Sequence, residues 1–94
     1  MIEWTQQAVR QLGQSRDYIA SSNSEEVADR ILMHIVAGVE KLANFPRLGR
    51  PGRVRGTREL VIPNTPFIAA YTLAKSQVVI LALYHGAQQW PDEL

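Results

Sequence analysis

Between Phe45 and Gly56 the chain meets Pro46, Gly49, Pro51, Gly52 and Gly56, and prolines and glycines at this density break helix and strand alike. The segment divides the sequence into two parts with different hydrophobic patterns. Before it, apolar residues recur at helical spacing. After it come three short extended runs. A chain of 94 residues has room for one hydrophobic core, so residues 1–94 are expected to form a single domain.

The first part opens with Ile2 and Trp4 on either side of Glu3, an alternation that suits a short strand. Thr5 is placed to cap a helix, because its hydroxyl can accept from a free amide of the first turn. Ala8, Leu12, Ser15 and Ile19 then follow at steps of four, three and four, which makes one narrow face. The polar run from Ala20 to Ser24 should end this helix. Ser22 and Glu25 have the spacing of a capping box and predict a second helix that runs to about Asn44. Pro46 disfavours helix at the residue before it. The apolar positions Val27, Ala28, Ile31, Leu32, Ile35, Val36, Val39, Leu42 and Ala43 cover about half of that helix's circumference. A stripe so wide needs two neighbours, such as the first helix and a sheet. The short link between the helices makes them antiparallel.

Beyond the Pro/Gly segment, strands are expected at Glu59–Ile62, Phe67–Leu73 and Val78–Tyr84. The separators Pro63–Pro66 and Ala74–Gln77 are of hairpin length, so the three should form an antiparallel meander. The expected fold is therefore α+β: an N-terminal strand, then an antiparallel two-helix hairpin packed on a C-terminal antiparallel β-sheet.

The net charge of +1 conceals an asymmetry. Arg47, Arg50, Arg53, Arg55 and Arg58 fall within twelve residues that hold no Asp or Glu, whereas the rest of the chain balances at −4. Eight of the ten basic residues are arginine, which favours forked contacts with phosphate or carboxylate over diffuse attraction. A solvated loop is the plain alternative. The absence of cysteine excludes disulfides and thiolate metal sites. No apolar run is long enough to span a membrane, and Met1 to Thr5 do not begin like a signal peptide, so a cytoplasmic protein is expected.

Candidate chemistry is sparse. There is no H-E-x-x-H, phosphate loop, zinc pattern or Ser/His/Asp arrangement, and neither cofactor, metal nor small-molecule substrate is expected. His34 has no second ligand at metal spacing and reads as a structural or surface residue. His85 follows the last strand and precedes Gly86, where a side chain can leave the core on rigid backbone, although a lone histidine is more often a hydrogen-bonded structural residue. Glu59 is the one acid beside the arginine segment, and a local salt bridge is its simplest role. Trp90 either closes one end of the core or anchors a partner, as exposed tryptophans do at interfaces.

Taken in order, the two-helix start, Leu42-Ala43-Asn44-Phe45-Pro46-Arg47-Leu48-Gly49-Arg50, Gly56-Thr57-Arg58-Glu59-Leu60, Tyr71 and His85-Gly86-Ala87-Gln88-Gln89-Trp90-Pro91 resemble the RelE/ParE superfamily of bacterial toxins. The resemblance covers nearly the whole chain. It implies a toxin made beside a cognate antitoxin that wraps and blocks it. Two targets occur in the superfamily: ParE-like members inhibit DNA gyrase without cutting, and RelE-like members cleave messenger RNA on the ribosome. A cleaving member needs groups that activate a 2′-hydroxyl, stabilise a charged transition state and protonate the leaving oxygen. Pro63 and Gln88 stand where RelE-like toxins offer arginine, and no tyrosine follows Tyr84. The resemblance therefore favours gyrase, with Arg50, Arg53, Arg55, Arg58 and Trp90 as target-binding residues. Under the ribonuclease reading, His85 would be the acid/base and Arg58 would stabilise the phosphate charge.

Overall fold

A computed structural model describes residues 2–86, and Trp90, Gln88 and their neighbours lie outside the described residues. The elements are β1 (Ile2–Trp4), α1 (Gln6–Ser22), α2 (Glu25–Glu40), a 3-10 turn at Lys41–Ala43, β2 (Arg50–Pro51), β3 (Arg58–Val61), β4 (Phe67–Ala74) and β5 (Gln77–His85). Their sheet order is β1-β5-β4-β3-β2. The α+β fold and the antiparallel meander β3-β4-β5 match the expectation.

Three details differ from the sequence reading. The cap of α2 is Ser24, whose hydroxyl accepts from the Val27 amide at 3.1 Å. Ser22 still belongs to α1 and donates to the Tyr18 carbonyl, because the Asn23 amide closes that helix onto Ile19. The Pro/Gly segment contains a two-residue strand, β2, which pairs Arg50 with Glu59 and Pro51 with Arg58. Proline is tolerated there because β2 is an edge. Finally, the sheet is mixed: β1 runs parallel to β5 at the other edge.

Both helices cover one face of the sheet. Ala8, Ile19, Ala28, Ile35, Val39 and Leu42 from the helical half are buried with Leu60, Ile62, Phe67, Ala69, Tyr71, Val78, Ile80 and Leu83 from the strands. Ile31 is half-buried against this core. Arg16 ties the helices from outside, donating twice to the Asp29 carboxylate at 3.1 and 3.2 Å. That bond, with the negative charge of Asp29, raises the guanidinium's pKa above its ordinary value.

Ile80 and Leu83 are three residues apart yet both face the helices, which a regular strand forbids. A bulge makes this possible. Ala70 pairs with Ala82 and Tyr71 with Ile80, so Leu81 is left without a partner on β4. The start of α1 is attached at this irregularity. The Thr5 amide donates to the Ile80 carbonyl at 3.0 Å and its hydroxyl to the Leu81 carbonyl at 3.1 Å. The same hydroxyl accepts from Ala8, giving the expected cap. Gln11 then accepts from the Leu83 amide at 2.8 Å.

The Pro/Gly segment is held from below by Tyr71, which is fully buried. Its hydroxyl donates to the Pro46 carbonyl at 2.8 Å and accepts from the Gly49 amide at 2.9 Å. Gly49 is required by this approach: a Cβ there would lie 2.7 Å from the Tyr71 ring and 2.9 Å from the Glu59 carbonyl. Two outcomes follow for urea unfolding. Tyr71→Phe leaves both loop groups without their buried partner and should cost about 1–3 kcal/mol. Gly49→Ala must displace the phenol or the β3 backbone, and its cost should be at least as large, about 1–3 kcal/mol from overpacking plus the lost hydrogen bonds. Equal midpoints for wild type and Tyr71→Phe would remove this anchor from the account.

The arginine segment as the candidate binding site

Alternation along β3 sends neighbouring side chains to opposite faces of the sheet. Arg58 pairs with Tyr71 and shares the helix side, whereas Glu59 pairs with Ala70 and shares the other side with Arg50. Ala70, Ala82 and Tyr84 form a second buried cluster on that helix-free side. Burial pushes the pKa of the Tyr84 hydroxyl up.

Glu59 is 3% exposed, the one buried charged side chain among the described residues. One carboxylate oxygen accepts from Arg50 Nε and Nη2 at 3.3 and 3.1 Å. The other accepts from the Arg53 backbone amide at 3.0 Å and lies 3.8 Å from Arg53 Nε. The salt bridge expected from sequence is thus a buried carboxylate that fastens two turns of the arginine segment. Both guanidinium groups remain about half-exposed, so they keep hydration that a fully buried pair would lose.

Arg58 is also engaged, but by backbone. Its Nη1 donates to the Gly49 carbonyl at 2.7 Å and to the Arg47 carbonyl at 3.4 Å. The remainder of the segment is closed by Gly52 donating to the Thr57 carbonyl at 2.8 Å and by the Thr72 hydroxyl donating to Gly56 at 2.9 Å. Gly56 takes φ +82°, a left-handed value that glycine adopts without strain. Arg47 and Arg55 are exposed, and their side chains make no hydrogen bond or ion pair among the described residues. Sequence reading named Arg50, Arg53, Arg55 and Arg58 as target-binding and left Arg47 out, because only the contacts separate exposed arginines from engaged ones.

His85 does not meet Arg58. It pairs with Phe67, while Arg58 pairs with Tyr71, four residues away along β4, or about 13 Å. The His85 ring stacks edge-on against Phe67 with centroids 5.6 Å apart. His34 is exposed on α2. Among the described residues no group of three or more His, Asp or Glu is placed to hold a metal, and no helix is long and apolar enough to cross a membrane. A cleft of about 430 Å³ lies beside the segment, lined by Gly38, Lys41, Leu48, Arg50, Leu60 and Val61 among others. Leu48 and Val61 are half-exposed apolar side chains there, and neither was singled out in the sequence, where a lone exposed aliphatic has no signature.

Comparison with known proteins now bears on this arrangement. From Sinorhizobium fredii, "Putative toxin Y4kP" is 40% identical over 93 residues, 99% of this chain and 95% of that protein. The structure described as the chromosomal ParDE toxin-antitoxin system of P. aeruginosa superposes with a TM-score of 0.82 at 27% identity, covering 89% of this chain and 92% of that one. The toxin-antitoxin complex RelBE2 from Mycobacterium tuberculosis gives a TM-score of 0.66 at 25% identity, covering 90% and 95%. The family model described as ParE toxin of type II toxin-antitoxin system, parDE, matches residues 2–90, and the chain belongs to that family.

Proposed function

We propose that this toxin acts by binding DNA gyrase and does not itself cut RNA. The observation that carries the reading is the state of the arginine segment: its backbone is fixed by Tyr71, Glu59 and Arg58, and it presents Arg47 and Arg55 outward. Such a surface suits recognition of an acidic or phosphate-bearing target, because ordering the loop is no longer charged to the binding step. Acid/base cleavage has less support. His85 and Arg58 are apart on the sheet, and Arg58 is committed to two loop carbonyls.

The partner in this reading is a cognate antitoxin. The two solved relatives are described as toxin-antitoxin systems, and the cleft beside the arginine segment offers a matching surface. Leu48 and Val61 supply apolar contact, and Lys41 and Arg50 supply positive charge at its border. An amphipathic antitoxin segment carrying Asp or Glu fits both features.

Two measurements test these statements. For the target, growth arrest and gyrase supercoiling should be followed for Arg55→Glu beside His85→Ala, with melting temperatures recorded. Arg55→Glu should melt like the wild type and lose both arrest and gyrase inhibition; His85→Ala should keep both. Arg50, Arg53 and Arg58 are poorer probes, since their internal bonds mix folding with function. A well-folded His85→Ala chain that no longer arrests growth, together with messenger RNA cleavage by the wild type, would replace gyrase with the ribosome. For the partner, Val61→Glu should weaken capture of the neighbouring gene's product about tenfold or more by calorimetry, equivalent to at least about 1.4 kcal/mol. Unchanged affinity would move the antitoxin off this cleft.

A further inference from the structure

The five arginines of the basic segment are not equivalent, and their sorting leaves one stretch of surface with no acid beside it among the described residues. Arg50 and Arg53 surround Glu59 on the helix-free side of the sheet. On the other side, a cleft of about 320 Å³ is lined by Arg47, Pro51, Gly56, Thr57, Arg58 and Leu73. A second cleft of about 380 Å³ adjoins it, sharing Arg47 and Leu73 and continuing past Pro46, Leu42 and Ala43 to Ser76 and Val78. Among the described residues no Asp or Glu lines either cleft.

The chemistry of Arg58, in the first cleft, and of Arg47, which both clefts share, is specific. Arg58 is clamped by one edge: Nη1 is taken by the Gly49 and Arg47 carbonyls. Its Nε and Nη2 hydrogens make no bond among the described residues, so a planar fork is held at a fixed angle with its second edge open. Arg47 stands on the ridge between the clefts with its guanidinium unpaired among the described residues. Each guanidinium fork matches the acceptor oxygens of one phosphate, so the clamped Arg58 and the unpaired Arg47 can take two. The two clefts adjoin at Arg47 and Leu73 and together form a grooved face, with apolar lining at Leu73 and Pro46 for the sugar or base beside a phosphate.

We propose that this groove binds the sugar-phosphate backbone of a nucleic acid directly, with Arg47 and Arg58 taking a phosphate pair. The site goes beyond the gyrase reading, because a toxin can inhibit an enzyme through protein contacts alone. Gyrase is left out of the test for that reason, so its result leaves the target question where it stands.

The experiment is fluorescence anisotropy of a labelled DNA duplex titrated with the purified full chain, from about 20 mM salt upward. Two phosphate contacts predict a slope of log affinity against log salt of about −2. Arg47→Gln should reduce the slope by about one and weaken binding at low salt about tenfold. Arg10→Gln, an exposed arginine on α1 away from the groove, should bind like the wild type. Arg58 is left unchanged because its loss also frees two loop carbonyls. An RNA duplex of the same sequence should bind with the same slope if the backbone phosphate is what is read. The proposal is overturned if the duplexes do not bind at low salt, or if Arg47→Gln and Arg10→Gln behave alike. Capture of an acidic peptide with no binding of either duplex would also overturn it, by assigning the groove to a carboxylate-bearing protein.

Discussion

The phenol of Tyr71 sits beneath the loop that joins the helical half of the chain to its strands, and its two hydrogen bonds decide the path of that loop. Proline and glycine give the segment its turns but deny it a regular ladder, so each buried backbone group must find a partner singly. The Pro46 carbonyl and the Gly49 amide find the same hydroxyl. Because Tyr71 lies on the middle strand, the loop is positioned by the most enclosed part of the sheet. The bareness of Gly49 follows from this contact, since any side chain there would occupy the phenol's place.

Once the loop backbone is fixed, strand alternation distributes its charges. Arg58 and Glu59 are neighbours in sequence and end on opposite faces of β3. Glu59 therefore offsets one of the two positive charges of Arg50 and Arg53 and lies away from Arg58 on the helix side. One carboxylate serves both as a buried fastener and as a counter-charge confined to the helix-free side. Had the register of β3 slipped by a single residue, Glu59 would face the core and Arg58 the helix-free side, and both arrangements would be lost.

Much of this was legible in the sequence where periodicity or capping chemistry acts locally. Thr5 as a cap, the stripe of Ile35, Val39 and Leu42, and the three-strand meander follow from spacing alone. The shift of the α2 cap from Ser22 to Ser24 shows the limit of that logic: several serines offer the same chemistry, and the last turn of α1 decides which is free. The β5 bulge was invisible because Val78–Tyr84 is apolar throughout, so no alternation in the sequence records where the pattern shifts. The arginine cluster was plain as composition. Its division into engaged and exposed members was not, because that depends on contacts between residues 6 to 25 positions apart, such as Arg53 with Glu59 and Tyr71 with Pro46.

A basic loop of this kind has two physical uses that differ in what they require. Catalysis on a phosphodiester needs a proton donor or acceptor within hydrogen-bond reach of the same phosphate that the cations hold. Recognition needs only that the cations be oriented and that little freedom be lost on contact. The ordered features among the described residues meet the second requirement, which is what supports the proposed reading. The loop backbone is closed by Tyr71, Glu59 and Thr72, one guanidinium is clamped by its inner edge, and the histidine at the end of β5 packs on Phe67, about four residues of strand away. A loop that holds its arginines in place while His85 stands at a distance directs its hydrogen bonds to shape and charge, and this is the physical ground of the proposal that the toxin acts by binding.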